Sequence, residues 1–157
     1  MLTYSAAWLL LAVPALGGHV IDKRSAITDC LTSSKVNQAL PGSTAFTQGI
    51  KPFNLRLAFT PVALAQPSTV AEVQAAVACA AKVGVTVSSK SGGHSYASHG
   101  LGGEDGHLCI DMRSFNNVSV DATSGIAAIG PGERLGNVAT KLYAQGKRAI
   151  SHGTCPG

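Results

Sequence analysis

Apolar positions recur most regularly in "STVAEVQAAVACAAKVG" (68–84), where Val70, Val73, Ala76, Val77 and Ala80 fall on one face at helical spacing. Ser68 or Thr69 caps this helix, Thr69 and Glu72 match a capping box, and Gly84 supplies its stop. The apolar "VALAQP" (62–67) before it reads as a short strand ended by Pro67, and "VTVSS" (85–89) after it as another. Strand, helix and strand with short links predict a parallel crossover. Three further strands are predicted at "LCIDM", "VSVD" and "IAAIG", joined by Asn and Ser-Gly turns. "GERLGNVATKLYAQG" reads as a second long helix stopped by Gly146, and "ITDCLTSSKVNQ" (27–38) as a shorter one broken by "LPGS". An irregular stretch then runs to about Leu57. The fold class is α+β, bordering on α/β.

The N-terminal pattern is of another kind. An unbroken apolar run from Ala6 to Val13 is followed by Pro14 and the small residues Ala15, Gly17 and Gly18, the layout of a signal peptide cleaved near Gly17. The run is too short to span a membrane, which needs about 20 apolar residues. Lys23-Arg24 then reads either as a dibasic processing site or as two surface charges. The expected division is a signal peptide at 1–18, a possible pro-segment to 24, and one domain over 25–157. Secretion places Cys30, Cys79, Cys109 and Cys155 in an oxidising compartment. Asn117-Val118-Ser119 becomes a candidate glycosylation sequon. A net charge of +4 from scattered Lys and Arg, with few aromatics, gives no footprint for nucleic acid.

Candidate chemistry sits in three glycine-bearing stretches. "KSGGHSY" follows a predicted strand, and Gly92-Gly93 lets backbone N–H groups converge into an anion nest suited to a diphosphate, with Ser91 and Ser95 as added hydroxyl donors. A plain turn is the rival reading. "GPGERLG" (130–136) lies between a strand and a helix, where a dinucleotide fingerprint belongs. Its spacing is G-x-G-x-x-x-G, Pro131 occupies the turn and no acidic residue follows for a ribose, so a nicotinamide site is excluded. In "SHGTCPG", His152 and Cys155 offer only two metal ligands. His94, His99 and His107 share one loop without ligand spacing, so no metal is assigned.

Taken together and in order, "SKSGGHSYASHGLGGEDGHL", "GPGERLG" and "GKRAISHGTCPG" resemble the flavin domain of secreted oxidases related to berberine bridge enzyme. The likeness is greatest to the fungal oligosaccharide oxidases of the vanillyl-alcohol-oxidase superfamily. It covers about residues 27–157 and implies the N-terminal part of a PCMH-type FAD-binding domain, with small parallel and antiparallel sheets packed with helices. His94 matches the histidine bonded to the flavin 8α-methyl carbon, and Cys155 the cysteine thioether-bonded to ring position 6. The rival readings are a loop histidine hydrogen-bonded to backbone for His94 and a disulfide cysteine for Cys155. A neutral imidazole and a thiolate are nucleophiles suited to those bonds. The implied cofactor contacts are Ser91, Gly92, Gly93, His94, Ser95, Tyr96, Gly153, Thr154, Cys155 and Pro156.

The resemblance also implies a disulfide between Cys30 and Cys79, leaving Cys109 a buried free thiol. Its members oxidise the reducing ends of oligosaccharides to lactones while oxygen becomes hydrogen peroxide. They are several times longer, with a substrate domain and a C-terminal tyrosine base that have no counterpart here, so no catalytic residue is assigned. Tyr96 and Tyr143 fall in no matching motif. An oxidase of another alcohol or of alkaloid-like molecules, and a non-catalytic flavin-binding remnant, are the alternative readings.

Overall fold

The computed structural model describes residues 22–157, so the expected signal peptide lies outside the described residues. The first helix, α1, spans Lys23–Ser33, starting earlier than the pattern at 27–38 suggests. Asp22 caps it, its carboxylate accepting from the Arg24 amide at 3.1 Å. Lys23 and Arg24 therefore form the first turn of a helix, and Lys23 Nζ donates to the Gly84 carbonyl at 3.1 Å. Lys35, at φ 58°, turns the chain back. The stretch read as irregular contains strand β1 (Gln38–Ala39) and helix α2 (Thr44–Gly49), capped by the Ser43 hydroxyl.

Strand β2 (Ala63–Ala65) leads into helix α3 (Val70–Val83). Thr69 is the N-cap, accepting from the Glu72 amide at 3.2 Å, while the Glu72 carboxylate reaches back to the Ser68 amide at 2.6 Å. Gly84 adopts φ 65°, and Val85 N–H bonds the Ala80 carbonyl. That closing motif uses Val85, so strand β3 begins later than expected, at Val87–Lys90. The buried face of α3 is also turned from the expected one. Ala76, Cys79 and Ala80 face the core, whereas Val70 and Val77 are exposed. The cause is the bond between Cys79 and Cys30 of α1, which draws a stripe of small side chains toward that helix.

Strand β4 (Leu108–Asp111) decides the topology. It lies between β2 and β3, parallel to both, so the sheet order is β1-β2-β4-β3 and the crossover partners are not neighbours. All four β4 residues are buried because both sheet faces are covered. Leu108 and Ile110, with Ala63 and Ala65, meet α1 and α3; Cys109 and Leu64 point the other way, to Phe46 and Leu101. Burying each such Leu or Ile contributes about 1.5–3 kcal/mol.

A separate antiparallel hairpin, β5 (Val118–Val120) and β6 (Ala127–Ile129), packs on helix α4 (Leu135–Gly146) through Val118, Val138 and Leu142. Gln145 pins the two together: its amide donates to the Val118 carbonyl at 2.9 Å and accepts from the Val120 amide at 3.0 Å. Gly146 ends the helix, but the left-handed cap is Lys147, at φ 52°. The architecture is thus the expected mixture of helices with small parallel and antiparallel sheets.

Cys30 and Cys79 are bridged, with Cys109 and Cys155 free. The bridge closes a sequence separation of 49 residues, which the chain-entropy model values at roughly 4 kcal/mol. The Cys30→Ser, Cys79→Ser double variant should lose stability of that order in urea titrations. Peptide mapping of the wild type should recover Cys109 as a thiol; a Cys79–Cys155 bridge would overturn this arrangement.

Candidate functional site

The parallel strands β3 and β4 end side by side, with Lys90 opposite Asp111. Lys90 Nζ donates to Asp111 Oδ2 at 3.1 Å, and Arg113 closes on the same oxygen at 2.6 Å, with the carboxylate fully buried. Burial raises the Asp111 pKa, but the bonds from Arg113 and the Lys90 charge outweigh it and hold the carboxyl below its ordinary value. The glycine loop leaves the sheet directly from this pair. Its floor is the Lys90 stem, with Cε 3.0 Å from where a side chain at Gly93 would begin. Gly93 itself adopts φ 78°, the backbone reversal that an anion nest requires. Past the loop, a short 3-10 turn at His99–Leu101 is tied to the strands by Ser88 and Cys109, both donating to the Gly100 carbonyl at 3.3 Å.

The loop faces a cleft of about 420 Å³. Ser91, Gly92, Gly93, His94 and Ser95 line one side; Glu133, Arg134, Leu135 and Cys155 line the other. Two contacts close the two sides toward each other. Ser91 Oγ donates to the Pro131 carbonyl, joining the two glycine stretches, and the Gly136 amide donates to the Pro156 carbonyl at 2.8 Å. The second contact matters more. It folds residues 153–156 back onto the start of α4, and that return carries exposed Cys155 into the cleft that His94 also lines.

The "GPGERLG" glycines serve packing. A side chain at Gly130 would strike the Phe115 carbonyl, and one at Gly132 the Met112 carbonyl. The amides of both glycines bond that same segment, to Asn117 and Phe115 carbonyls at 2.8 and 2.9 Å. At Gly136, a side chain would meet Pro156 at 3.2 Å. Each glycine is thus fitted to neighbouring backbone, which accounts for a spacing that matches no dinucleotide fingerprint.

Among the residues singled out from sequence, Tyr96 stands apart. It is 76% exposed outside the cleft lining, stacked edge-on against Phe53 at 5.5 Å, with its carbonyl held by Asn54. Phe53 also stacks against the His94 ring, centroids 4.9 Å apart. Ser91 has turned its hydroxyl to Pro131, and Ser95 accepts from the His99 amide. Gly153, Thr154 and Pro156 shape the returning segment and do not line the cleft. The loop histidines separate: His94 lines the cleft, His99 is exposed, and His107 is buried with Nδ1 against the Glu104 carbonyl. Burial pushes the Cys109 thiol up to about 11, so it stays protonated. Tyr143 is exposed on α4 beneath the Lys147 ammonium.

Sequence reasoning passed over Glu133, Arg134 and Leu135 as cleft residues. A charged pair at a helix start beside glycines was the available signal. Bonds from Lys141, Asn137 and the Arg134 amide hold the Glu133 carboxyl down to about 2. The cleft therefore offers a reversed glycine backbone, a guanidinium, an imidazole and a thiol. That donor set suits a phosphorylated, electrophilic ring cofactor.

An FAD binding domain family matches residues 61–156, and the chain belongs to that family. Its relatives are fungal oligosaccharide oxidases and berberine-bridge-enzyme-like proteins. It is 56% identical over 135 residues to a xylooligosaccharide oxidase of Thermothelomyces thermophilus, covering 86% of this chain and 27% of the relative. The structure of xylooligosaccharide oxidase from Myceliophthora thermophila C1 in complex with xylobiose superposes with a TM-score of 0.80 at 55% identity, over 83% of this chain and 28% of that one. A glucooligosaccharide oxidase from Acremonium strictum, described as bearing a 6-S-cysteinyl, 8α-N1-histidyl FAD, gives 0.80 at 43% identity, over 83% and 27%. The chain thus spans under a third of the length of the curated relatives it matches.

Because its folded pKa is depressed, Asp111 contributes its full stability above the unfolded carboxylate value of about 4 and loses it as pH falls through the lower folded value. Urea midpoints of the wild type should therefore drop below about pH 4. Asp111→Asn leaves Lys90 buried against a neutral group and should cost about 3–5 kcal/mol at pH 7, with a flatter acid dependence. Parallel acid profiles for the two proteins would refute the assignment.

Proposed function

We propose that the chain holds FAD in this cleft by two covalent bonds, at His94 and Cys155, as the flavin-binding part of a secreted oxidase acting on oligosaccharide reducing ends. The observation that carries the reading is the fold-back of residues 153–156 onto α4, which brings Cys155 to the cleft that His94 lines. The relative described with histidyl and cysteinyl links supports it. When bound, FAD supplies two-electron acceptance. Gly92, Gly93 and Ser95 receive the diphosphate side, His94 and Cys155 fix the ring, and Phe53 braces the His94 imidazole. Each tether replaces an N–H or S–H and a flavin C–H, and the two electrons released pass to dioxygen. In turnover, a sugar's anomeric carbon loses two electrons and two protons, leaving a lactone and yielding hydrogen peroxide from oxygen. The names of the matched relatives favour a carbohydrate substrate over another alcohol or an alkaloid.

The test is incubation of the purified chain with FAD in air, followed by denaturation. The denatured protein should stay yellow and gain the mass of one FAD. Either His94→Ala or Cys155→Ala alone should retain one link; the double variant should release all colour. Flavin that dissociates wholly from the denatured wild type would refute the tethers.

Export belongs to the same proposal, with residues 1–18 as a signal peptide. A further cut after Arg24 would remove the Asp22 cap and open the first turn of α1. Asn117 is exposed at the entrance to β5, open to a glycan. N-terminal sequencing of chain secreted from a fungal host should begin near Gly18 or at Ser25, and an endoglycosidase mass shift should vanish in Asn117→Gln. Secreted material beginning at Met1 would overturn it.

A further inference from the structure

Arg134 has no role in the reading above. Its guanidinium lies over Gly92, occupying the space where any side chain at that position would begin. It therefore stands against the first glycine of the anion nest, on a wall of the cleft shared with His94 and Cys155. The other charged groups nearby are answered. Lys90 and Arg113 share Asp111, and Glu133 is held by Lys141, Asn137 and the Arg134 amide. Among the described residues, the Arg134 guanidinium itself has no hydrogen-bonded acceptor. The positive charge of the cleft is thus the Arg134 side chain, uncompensated. At the start of α4 the Gly136 amide is already bonded to the Pro156 carbonyl.

We propose that Arg134 is the cationic clamp on the diphosphate of the bound dinucleotide. A planar guanidinium presents paired N–H donors that match phosphate oxygens, and such charge-assisted bonds are about twice as strong as neutral ones. The Gly92-Gly93 amides bind from the loop side and Arg134 from the helix side. A side chain at position 92 would meet the end of the Arg134 side chain, which would have to swing aside from the loop. Ser91 has given its hydroxyl to Pro131, so Arg134 takes the place that a hydroxyl donor was expected to fill.

This inference rests on the flavin reading of the cleft, and its test separates the two. The chain, labelled with 15N and carrying His94→Ala and Cys155→Ala so that no tether forms, is titrated with FAD, ADP and riboflavin, following the amide signals of Gly92 and Gly93. Wild type here means Arg134 kept in that background. In the wild type, FAD and ADP should bind with an affinity that falls as salt rises. Arg134→Met should weaken both by roughly 10- to 100-fold and leave riboflavin, which has no phosphate, unchanged. Arg134→Lys, keeping the charge but losing the fork, should recover part of the loss. Unchanged FAD and ADP affinity in Arg134→Met overturns the clamp and leaves the flavin reading standing. Equal loss for riboflavin also overturns it, since the residue would then be shaping the cleft. A wild type that responds to none of the three ligands overturns both. Should Arg134→Met fail to fold, wild-type ADP binding that is indifferent to salt overturns the clamp.

Discussion

The buried pair between Lys90 and Asp111 is the constraint on which the site depends. Two parallel strands deliver an ammonium and a carboxylate to the same level of the sheet, where neither tolerates separation. A buried ion pair adds little net stability over an apolar one, but removing one partner strands the other at high cost. The pair therefore fixes register more than it raises stability. A one-residue slip of β3 would put Lys90 on the wrong face and leave Asp111 to Arg113 alone. Because the glycine loop starts at the residue after Lys90, that register also fixes where Gly92, Gly93 and His94 emerge.

Glycine serves two ends here, and the distinction is physical. At Gly93 the backbone needs a positive φ and lies on the Lys90 stem; at Gly92 the space belongs to a guanidinium. At Gly130 and Gly132 the obstacle would be backbone carbonyls of the 112–115 segment, which cannot move without opening the hydrogen bonds they accept. The first pair shapes a binding surface. The second seats α4 against the rest of the domain, and so orients the wall that carries Arg134 and, through Pro156, Cys155.

Covalent and non-covalent staples divide the labour. The Cys30–Cys79 bridge secures α1 to α3 on one face of the sheet, far along the chain from the cleft. The cleft wall has no covalent staple: a small apolar cluster of Val118, Val138 and Leu142 seats α4, and hydrogen bonds add to it, with Gln145 gripping β5 and Gly136 gripping Pro156. Local opening should be easier on that side, where few apolar side chains are buried.

Local rules in the sequence determined α3 almost completely: Thr69, Glu72 and Gly84 mark its ends because capping acts over three or four residues. The same holds for the strand-like apolar runs and for the glycine loop after β3. Three linked motifs also carried the resemblance to flavin oxidases, with His94 and Cys155 picked out. Tertiary contacts decided the rest. β4 inserts between β2 and β3, where it is buried on both faces; the α3 face meets Cys30 through the disulfide; and α1 begins at Lys23, which Asp22 caps and the Gly84 carbonyl holds. Arg134 became a cleft residue only through the packing of Gly130 and Gly132, since periodicity reports which face is apolar and says nothing of what a polar side chain will lie against.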